Sequence, residues 1–224
     1  MIESTVNSVS RLLITGGDGA LAQAIASEFR DHSWFVDAPS HQELDVTSVE
    51  QIEEYINDHG PYDCVVCNAG ITLDALLMKQ TPERWERVLQ TNLKGATWCA
   101  NYSARGMVQV GKGGSIIFIG SYASEHPTVG QSIYAASKAG LIGVMKSAAR
   151  EWGSLGIRVN VILPGFMETP MTETLPSGVV ERARQLHVLG EFNTPNRVAA
   201  MIWFLHETMR ATSGQVFSLD SRIL

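Results

Sequence analysis

Short apolar runs alternate with longer amphipathic stretches along the chain, and this alternation constrains the fold more than any other feature. The apolar runs lie at residues 11–15, 62–67, 115–119, 157–163 and 215–219. Helical patterns lie between them at residues 20–30, 48–60, 133–152 and 194–205, and another long helix begins at Thr81-Pro82. Runs without polar alternation suit strands that are covered on both faces. The expected fold class is therefore α/β, with a single doubly wound parallel sheet and helices on both faces. We expect one domain over residues 1–224.

The segments between these runs carry further local signals. Two short strands are predicted at residues 34–37 and 44–46, with a turn between them. Ser48 and Gln51 have the spacing of a capping box that opens the next helix. Residues 167–189 are rich in Thr, Pro, Ser and Gly, and we expect them to form a mobile cover over a binding site. An ordinary surface loop with a short helix is the alternative.

Charge and hydropathy exclude several classes of protein. The chain has 17 Lys and Arg against 23 Asp and Glu, which gives a net charge of −6. Nonspecific binding to nucleic acid or anionic membranes requires basic surface. The longest purely apolar run, residues 198–205, is far shorter than the ~18 residues that a membrane-spanning helix needs. Residues 1–10 lack the basic start and apolar core of a signal peptide, so we predict a cytoplasmic protein without nucleic-acid or membrane partners.

Cys64 and Cys67 form a C-x-x-C pattern, which raises the possibility of a redox or zinc site. Both lie in a predicted strand, where residues three apart point to opposite faces, so their thiols cannot easily meet. No second Cys/His pair follows at zinc spacing. We therefore interpret both cysteines as buried core residues and predict no metal site.

A glycine-rich turn follows the first strand and opens the first helix. Gly17, Gly19 and Ala22 fit the pattern G-x-G-x-x-G/A, in which glycines allow a tight turn and the close approach of a pyrophosphate. The N-terminus of the following helix presents amide N–H groups to phosphate. A glycine turn without function is the alternative, but its position between strand and helix favours dinucleotide binding. The candidate cofactor-binding residues of this turn are Gly16, Gly17, Asp18, Gly19, Ala20 and Leu21.

Tyr134 and Lys138 lie one helical turn apart, so they share a face of the predicted helix. An ammonium beside a phenol favours the phenolate, and we expect Lys138 to lower the pKa of Tyr134 and make it an acid–base catalyst. Ser121 ends the preceding strand, where its hydroxyl can bond a carbonyl oxygen as charge develops. The Y-x-x-x-K spacing alone occurs by chance in many helices.

Together these residues resemble the short-chain dehydrogenase/reductase family, and within it most closely the 3-oxoacyl-[acyl-carrier-protein] reductases. The resemblance covers nearly the whole chain and is most specific from residue 65 to 172. The motifs that carry it are Cys67-Asn-Ala-Gly70, Thr91-Asn-Leu-Lys-Gly95, Ser121, Tyr134-Ala-Ala-Ser-Lys138 and Pro164-Gly-Phe-Met-Glu-Thr169.

This resemblance implies residue roles beyond those argued above. Tyr134 would donate a proton to a ketone, Lys138 would also hold the nicotinamide ribose, and Ser121 would orient the substrate. Asn92 would hold a water in a proton relay that reaches Lys138. The further implied cofactor-binding residues are Asn68, Ala69 and Gly70 in the cleft, Asp45 and Val46 near adenine, and Pro164, Gly165, Met167 and Thr169 in a closing segment.

The chain departs from the family pattern around the adenosine end of the cofactor. Ala20 and Ala22 replace two glycines, and the passage after Asp37 is too short for the usual helix. An acidic residue at the end of the second strand would accept from the ribose 2′-OH of NAD, and by counting that position falls near Ser40 and His41. These two residues could meet a 2′-phosphate instead, so we predict NADP as the cofactor, with NAD as the alternative. Both could also be mere turn formers.

Three functions are compatible with the sequence. The leading prediction is NADP(H)-dependent reduction of a 3-oxoacyl thioester, free or bound to a carrier protein. The alternatives are hydride transfer on another ketone or alcohol, such as a polyketide, a sugar or a small carbonyl compound, and a non-enzymatic dinucleotide-binding protein. An acidic carrier requires basic docking residues, and Lys112 is a candidate, whereas Leu155 stands where relatives often have arginine. The resemblance also implies a homo-oligomer, a tetramer or else a dimer.

Overall fold

The computed structural model describes residues 9–173 and 177–222. Within these residues, one six-stranded sheet has the order β2-β1-β3-β4-β5-β6, and each neighbouring pair of strands is parallel. The strands are β1 (Arg11–Ile14), β2 (Phe35–Asp37), β3 (Cys64–Cys67), β4 (Gly114–Ile119), β5 (Ile157–Leu163) and β6 (Val216–Ser218). The predicted α/β fold class with a doubly wound parallel sheet is confirmed.

Helices cover both faces of this sheet. They are α1 (Ala20–Asp31), α2 (Val49–His59), α3 (Pro82–Leu89), α4 (Ala96–Val110), α5 (Ser132–Trp152), α6 (Pro170–Glu173), α7 (Ser177–Leu186) and α8 (Pro195–Glu207). Consecutive strand residues point to opposite faces, so each strand contributes to two cores. Leu13 and Val65 pack in the core that includes residues of α2, α4 and α5. Leu12 and Val66 pack in the second core, with residues of α1 and α8.

Polar side chains begin three of these helices where the sequence predicts them. The Ser48 hydroxyl accepts from the Gln51 amide at 3.2 Å, whereas the Gln51 side chain accepts from the Asp45 amide rather than completing the capping box. Thr81 and Thr194 cap α3 and α8 in the same way, each followed by a proline at the first helical position. Proline suits this position because its missing N–H would have no partner there.

The predicted strand at residues 44–46 is wrong, because the chain forms turns there. The amide of Leu44 donates to the Ser40 carbonyl at 3.0 Å, and Asp45 accepts from the Thr47 amide at 2.9 Å. Side chains that bond nearby backbone offer an alternative to a sheet ladder. Leu44 and Val46 are nevertheless buried, which explains the apolar pattern that favoured a strand.

Two other segments differ from expectation in detail. The long helix that begins at Pro82 contains a π-helical segment, Gln90–Gly95, between α3 and α4. Such segments are common at functional sites. The irregular stretch at residues 167–189 contains α6 and α7, and residues 174–176 of it lie outside the described residues.

The cysteines are core residues, as predicted. Cys64 and Cys67 belong to opposite cores, so β3 separates their thiols. Burial raises the pKa of Cys64 and of Cys99 to about 12, which keeps both as thiols. Among the residues that the structure describes, no helix is long and apolar enough to cross a membrane.

Gly95 provides a test of how the π segment packs. A Cβ at this position would overlap the carbonyl oxygen of Val46, so we expect Gly95→Ala to lower the free energy of unfolding by about 1–3 kcal/mol. A Cβ at Gly106 in α4 would lie 3.6 Å from the nearest atom of Pro61. Gly106→Ala is the matched control and should instead stabilise the protein by roughly 0.5–1 kcal/mol. Urea unfolding measures both values, and equal effects would contradict the packing described here.

Candidate active site

The carboxyl ends of β1, β3, β4 and β5 meet at one edge of the sheet. Thr15, which follows β1, is buried, and its hydroxyl accepts from the amides of Asn68 and Ala69 at 3.0 Å each. The Asn68 side chain donates back to the Thr15 carbonyl at 3.1 Å. These bonds fix the glycine turn after β1 to the segment that follows β3.

The glycine turn has the shape of a phosphate cradle. Gly16 has φ +71°, and a Cβ there would lie 3.0 Å from the Ala69 Cα. Gly17 packs against the segment after β2, where its amide donates to the Pro39 carbonyl at 2.8 Å. Close approach of backbone to backbone therefore requires glycine at both positions.

The N-terminus of α1 opens above this turn. Gly19 caps the helix without a side-chain hydrogen bond, and the first turn contains no acidic residue. Within the described part of the chain, no hydrogen bond is made by the amides of Ala20 and Leu21. Asp18, Gly19 and Ala20 are exposed, whereas Leu21 is buried. Free amides at a helix N-terminus fit the pyrophosphate of a dinucleotide.

Gly70 connects the turn to the predicted catalytic residues. A Cβ at Gly70 would lie 3.4 Å from both the Asn92 Oδ1 and the Lys138 Nζ. Asn92 lies in the π segment and is fully buried. Its Oδ1 accepts from the Ile71 amide at 2.8 Å, and its Nδ2 donates to the Ile71 carbonyl at 2.9 Å and to the Ser137 hydroxyl at 3.1 Å. The Asn92 side chain thus holds the chain after Gly70, and its predicted role with a water stays a prediction.

Ser121 and Tyr134 come together beyond the end of β4. Tyr134 lies in the first turn of α5 and is half-buried. Burial raises the pKa of Tyr134, a hydrogen bond with Ser121 acts in the opposite direction, and the charge of Asp74 raises it further. The expected lowering of this pKa by Lys138 is therefore wrong for the chain as described: the net direction is upward.

Lys138 explains this difference, because its ammonium is directed elsewhere. The side chain is almost completely buried, and Nζ donates to the Ile119 carbonyl at 2.7 Å. Nζ lies 5.9 Å from the centroid of the Tyr134 ring. Burial lowers the pKa of Lys138 to about 8, while the Cys67 thiol acts in the opposite direction.

The segment after β5 begins at the same edge. Pro164 is buried, and its carbonyl accepts from the Asn193 side chain at 2.9 Å. Gly165 has φ +81°, a conformation that favours glycine. Met167 packs against the core on the α1 and α8 face, and the Thr169 amide donates to the Thr172 hydroxyl at 2.9 Å.

The residues predicted near the adenosine end occupy the turn after β2. The Ser40 amide donates to the Glu43 carboxylate at 2.8 Å, and the Asp45 carboxylate lies 3.8 Å from the His41 ring. Val46 is buried against Gly95. The sequence analysis did not identify Glu43. Its position three residues after Ser40 is a local signal for a hydrogen bond between the Ser40 amide and the Glu43 side chain.

Lys112, the predicted docking residue for a carrier protein, lies at the opposite edge of the sheet from Ser121 of the same chain. It precedes β4 and lines a shallow cleft with Val9 and Asp63, whereas Ser121 follows the other end of β4. A six-residue strand spans roughly 20 Å.

The structure also shows a buried cluster of His187, Asp220 and Arg222 that sequence reasoning missed. No group of three or more potential metal ligands occurs in the described part of the chain.

The buried ammonium of Lys138 predicts a dependence of stability on pH. Its pKa is lowered from 10.5 to about 8, so between these values the unfolded chain binds a proton that the folded chain does not. The free energy of unfolding of the wild type, relative to Lys138→Met, should rise by up to roughly 3 kcal/mol as the pH increases through this window.

Urea unfolding at pH 7.5 and pH 10 measures this difference. The matched control is Lys146→Met, which changes an exposed lysine on the same helix and should show no such rise. A flat difference for Lys138→Met would show that its ammonium is not held at a cost in the folded protein.

The chain is similar to known proteins over most of its length. A family model described as Enoyl-(Acyl carrier protein) reductase matches residues 12–221. A Thermotoga maritima protein named 3-oxoacyl-[acyl-carrier-protein] reductase is 40% identical over 186 residues, covering 81% of this chain and 75% of that protein. A human protein named (3R)-3-hydroxyacyl-CoA dehydrogenase is 43% identical over 145 residues, covering 65% and 56% respectively. A crystal structure of a short-chain type dehydrogenase/reductase from Mycobacterium marinum superposes with a TM-score of 0.89 at 24% identity, over 96% of this chain and 95% of that one.

The sequence matches and the sheet topology agree with the resemblance that the motifs predicted. The match to the family model covers more than half of the chain, and the Thermotoga relative is well above 30% identity over most of it. A nicotinamide dinucleotide is the cofactor that this membership implies, and the glycine turn fits its pyrophosphate. The protein belongs to the short-chain dehydrogenase/reductase family and is an NAD(P)-dependent oxidoreductase.

Proposed function

We propose that the protein reduces the 3-oxo group of an acyl thioester to a 3-hydroxy group. The observation that carries this proposal is the grouping of Ser121, Tyr134 and Lys138 at the edge of the sheet where the glycine turn opens. The substrate class comes from the names of the relatives, which act on 3-oxoacyl or 3-hydroxyacyl thioesters. The carrier-bound form is the leading substrate, as in the name of the Thermotoga relative.

When bound, a nicotinamide dinucleotide would supply the hydride. The residues of this chain would stabilise the developing charge and transfer the proton. Tyr134 donates its phenolic proton to the ketone oxygen, while the Ser121 hydroxyl bonds the same oxygen as negative charge develops. The raised pKa of Tyr134 keeps this proton in place at neutral pH, which suits the direction of reduction. Lys138 supplies a positive charge below a pH of about 8. Its proposed second role is to hold the nicotinamide ribose, as the family resemblance implies.

The contacts after β2 favour NADH, the reverse of the preference predicted from the sequence. Both oxygens of the Asp37 carboxylate accept from tyrosine hydroxyls, Oδ1 from Tyr55 at 2.7 Å and Oδ2 from Tyr62 at 2.5 Å. The proposed preference therefore does not depend on Asp37. Glu43 holds the Ser40 amide that a 2′-phosphate would need. No Lys or Arg lies between residues 35 and 48, so a 2′-phosphate there would face carboxylates without a compensating cation.

We also propose a homo-oligomer, of which a tetramer is the leading form and a dimer the alternative. Trp98, Val108 and Val110 leave apolar surface exposed on α4. A Cβ at Gly143 on α5 would meet open space, so the backbone of another chain can approach that helix closely. These features support pairing of α4 and α5 between copies.

Tyr134→Phe tests the proposed chemistry. Removal of the phenolic proton should lower turnover by about 10²–10⁴-fold, while nucleotide affinity and thermal stability stay close to the wild type. The assay follows nucleotide oxidation with an acetoacetyl thioester, both free and carrier-bound. Tyr102→Phe, which changes a surface tyrosine on α4, is the control.

If Tyr134→Phe keeps more than about a tenth of wild-type turnover, Tyr134 is not the proton donor. A wild type that binds nucleotide but never reduces a ketone would favour the non-enzymatic alternative.

Glu43→Gln tests the cofactor preference. The wild type should bind NADH more tightly than NADPH, and loss of the carboxylate should reduce the difference by about five- to tenfold, because one charge–charge repulsion is removed. Nucleotide fluorescence titration without substrate gives both dissociation constants. Glu54→Gln, which changes an exposed carboxylate in α2, should leave the ratio unchanged. A wild-type preference for NADPH would overturn this assignment and restore Ser40 and His41 as phosphate ligands.

A further inference from the structure

A buried ionic cluster lies just beyond β6, outside the residues that carry the proposed chemistry. The Asp220 carboxylate accepts from the Arg222 Nε at 2.9 Å and also from Arg222 Nη2, and its Oδ1 lies 3.2 Å from the His187 Nε2. The side chains of Asp220 and His187 are 1% and 2% exposed. Withdrawing such groups from water is unfavourable unless their geometry is well defined, so a cluster of this kind selects one arrangement of the segments it joins.

Asp220 joins both ends of the segment that follows β5, residues 165–187. At its start, a Cβ on Gly165 would lie 3.0 Å from the Asp220 Oδ2. At its end, His187 follows α7, and the amide of Val188 donates to the Ser221 carbonyl at 3.1 Å. Movement of either end therefore disturbs contacts with the carboxylate.

Arg222 extends the cluster to the catalytic edge. Its guanidinium carbon lies 3.4 Å from the centroid of the Tyr122 ring, a stacking contact that favours a cation. Tyr122 directly follows Ser121 and begins a 3₁₀ turn, Tyr122–Ser124. In this turn the amide of Ala123 donates to the Ser121 hydroxyl at 3.1 Å, and the Ser121 amide donates to the Ser124 hydroxyl at 3.3 Å. A displaced Tyr122 ring would displace the bonds that orient Ser121.

We propose that Asp220 and Arg222 are positioning residues that couple the segment at residues 165–187 to the orientation of Ser121. This inference rests on the proposed function, in which Ser121 bonds the ketone oxygen. Asp220 packs against Gly165 and pairs with His187, and Arg222 connects Asp220 to the Tyr122 ring. Neither residue takes part in hydride or proton transfer.

A double-mutant cycle on Arg222 and Tyr122 tests whether their contact affects the reaction at Ser121. Arg222→Met and Tyr122→Leu should each lower kcat on the order of tenfold, because misplacement of a reacting group is costly, while the nucleotide dissociation constant stays within about twofold. Because both substitutions act through the same contact, the double variant should lose no more kcat than either single variant.

Arg210→Met is the matched control, since it removes an exposed arginine that pairs with Glu207, and its kcat should equal that of the wild type. Unchanged kcat in Arg222→Met, or losses that multiply in the double variant, would overturn the proposal.

Arg222→Lys separates the two arms of the cluster. It retains a cation for Asp220 but lacks the planar guanidinium on Tyr122. We therefore expect kcat to fall while amide hydrogen exchange at residues 165–173 and 177–187 stays as in the wild type. Arg222→Met should instead raise exchange both there and at residues 121–126, with α1 and α2 unchanged.

A rise confined to the residues after β6, or spread over the whole chain, would show a merely local or global structural role. Because exchange needs no substrate, it also distinguishes two failures. If the wild type does not reduce thioesters but the exchange pattern appears, the proposed function fails and the coupling stands. If thioesters are reduced and the pattern is missing, the coupling fails alone.

Discussion

The parallel sheet is buried on both faces, and this constraint determines where chemistry can occur. In the central strands the ladders between neighbours occupy most backbone groups, so carbonyls and amides become available for other partners mainly at the strand ends. Ile119 is the last residue of β4, and its carbonyl accepts from the Lys138 ammonium. Thr15 follows β1 and binds the amides after β3. The glycine turn and the proposed catalytic residues therefore share one edge of the sheet.

Burial at this edge shifts the pKa values of Tyr134 and Lys138 in opposite directions. Tyr134 keeps its proton because burial raises its pKa, and Lys138 holds an ammonium whose pKa burial lowers to about 8. Both shifts have the same physical cause, because burial disfavours the charged form of each group. Asn92 is buried beside them, where its side chain bonds the backbone of Ile71 and the hydroxyl of Ser137. A polar group buried with its partners satisfied keeps the neighbouring backbone in one place.

Local patterns predicted most of the fold. Apolar runs identified β1, β3, β4, β5 and β6, and the shorter pattern at residues 34–37 identified β2. Ser48, Thr81 and Thr194 marked the starts of three helices. The strand prediction at residues 44–46 is wrong for a local reason. Leu44 and Val46 are apolar because they anchor a turn in the core, and this gives the same alternating pattern as a strand. The π segment had no sequence signal, since its geometry depends on contacts of Asn92 and Gly95 with distant residues.

Contacts between distant segments account for what the sequence did not reveal about the site. Asp37 is an acidic residue near the expected ribose position, yet its carboxylate accepts from Tyr55 in α2 and from Tyr62 in the segment before β3. Asp220 and Arg222 are only two residues apart, but their partners His187 and Tyr122 lie in other segments. In both cases the residue type suggests contact with a ligand, whereas the side chains that face the residue give it a structural or positioning role. A charged residue in a family motif can therefore be assigned to ligand, catalysis or positioning only when the groups that face it are known.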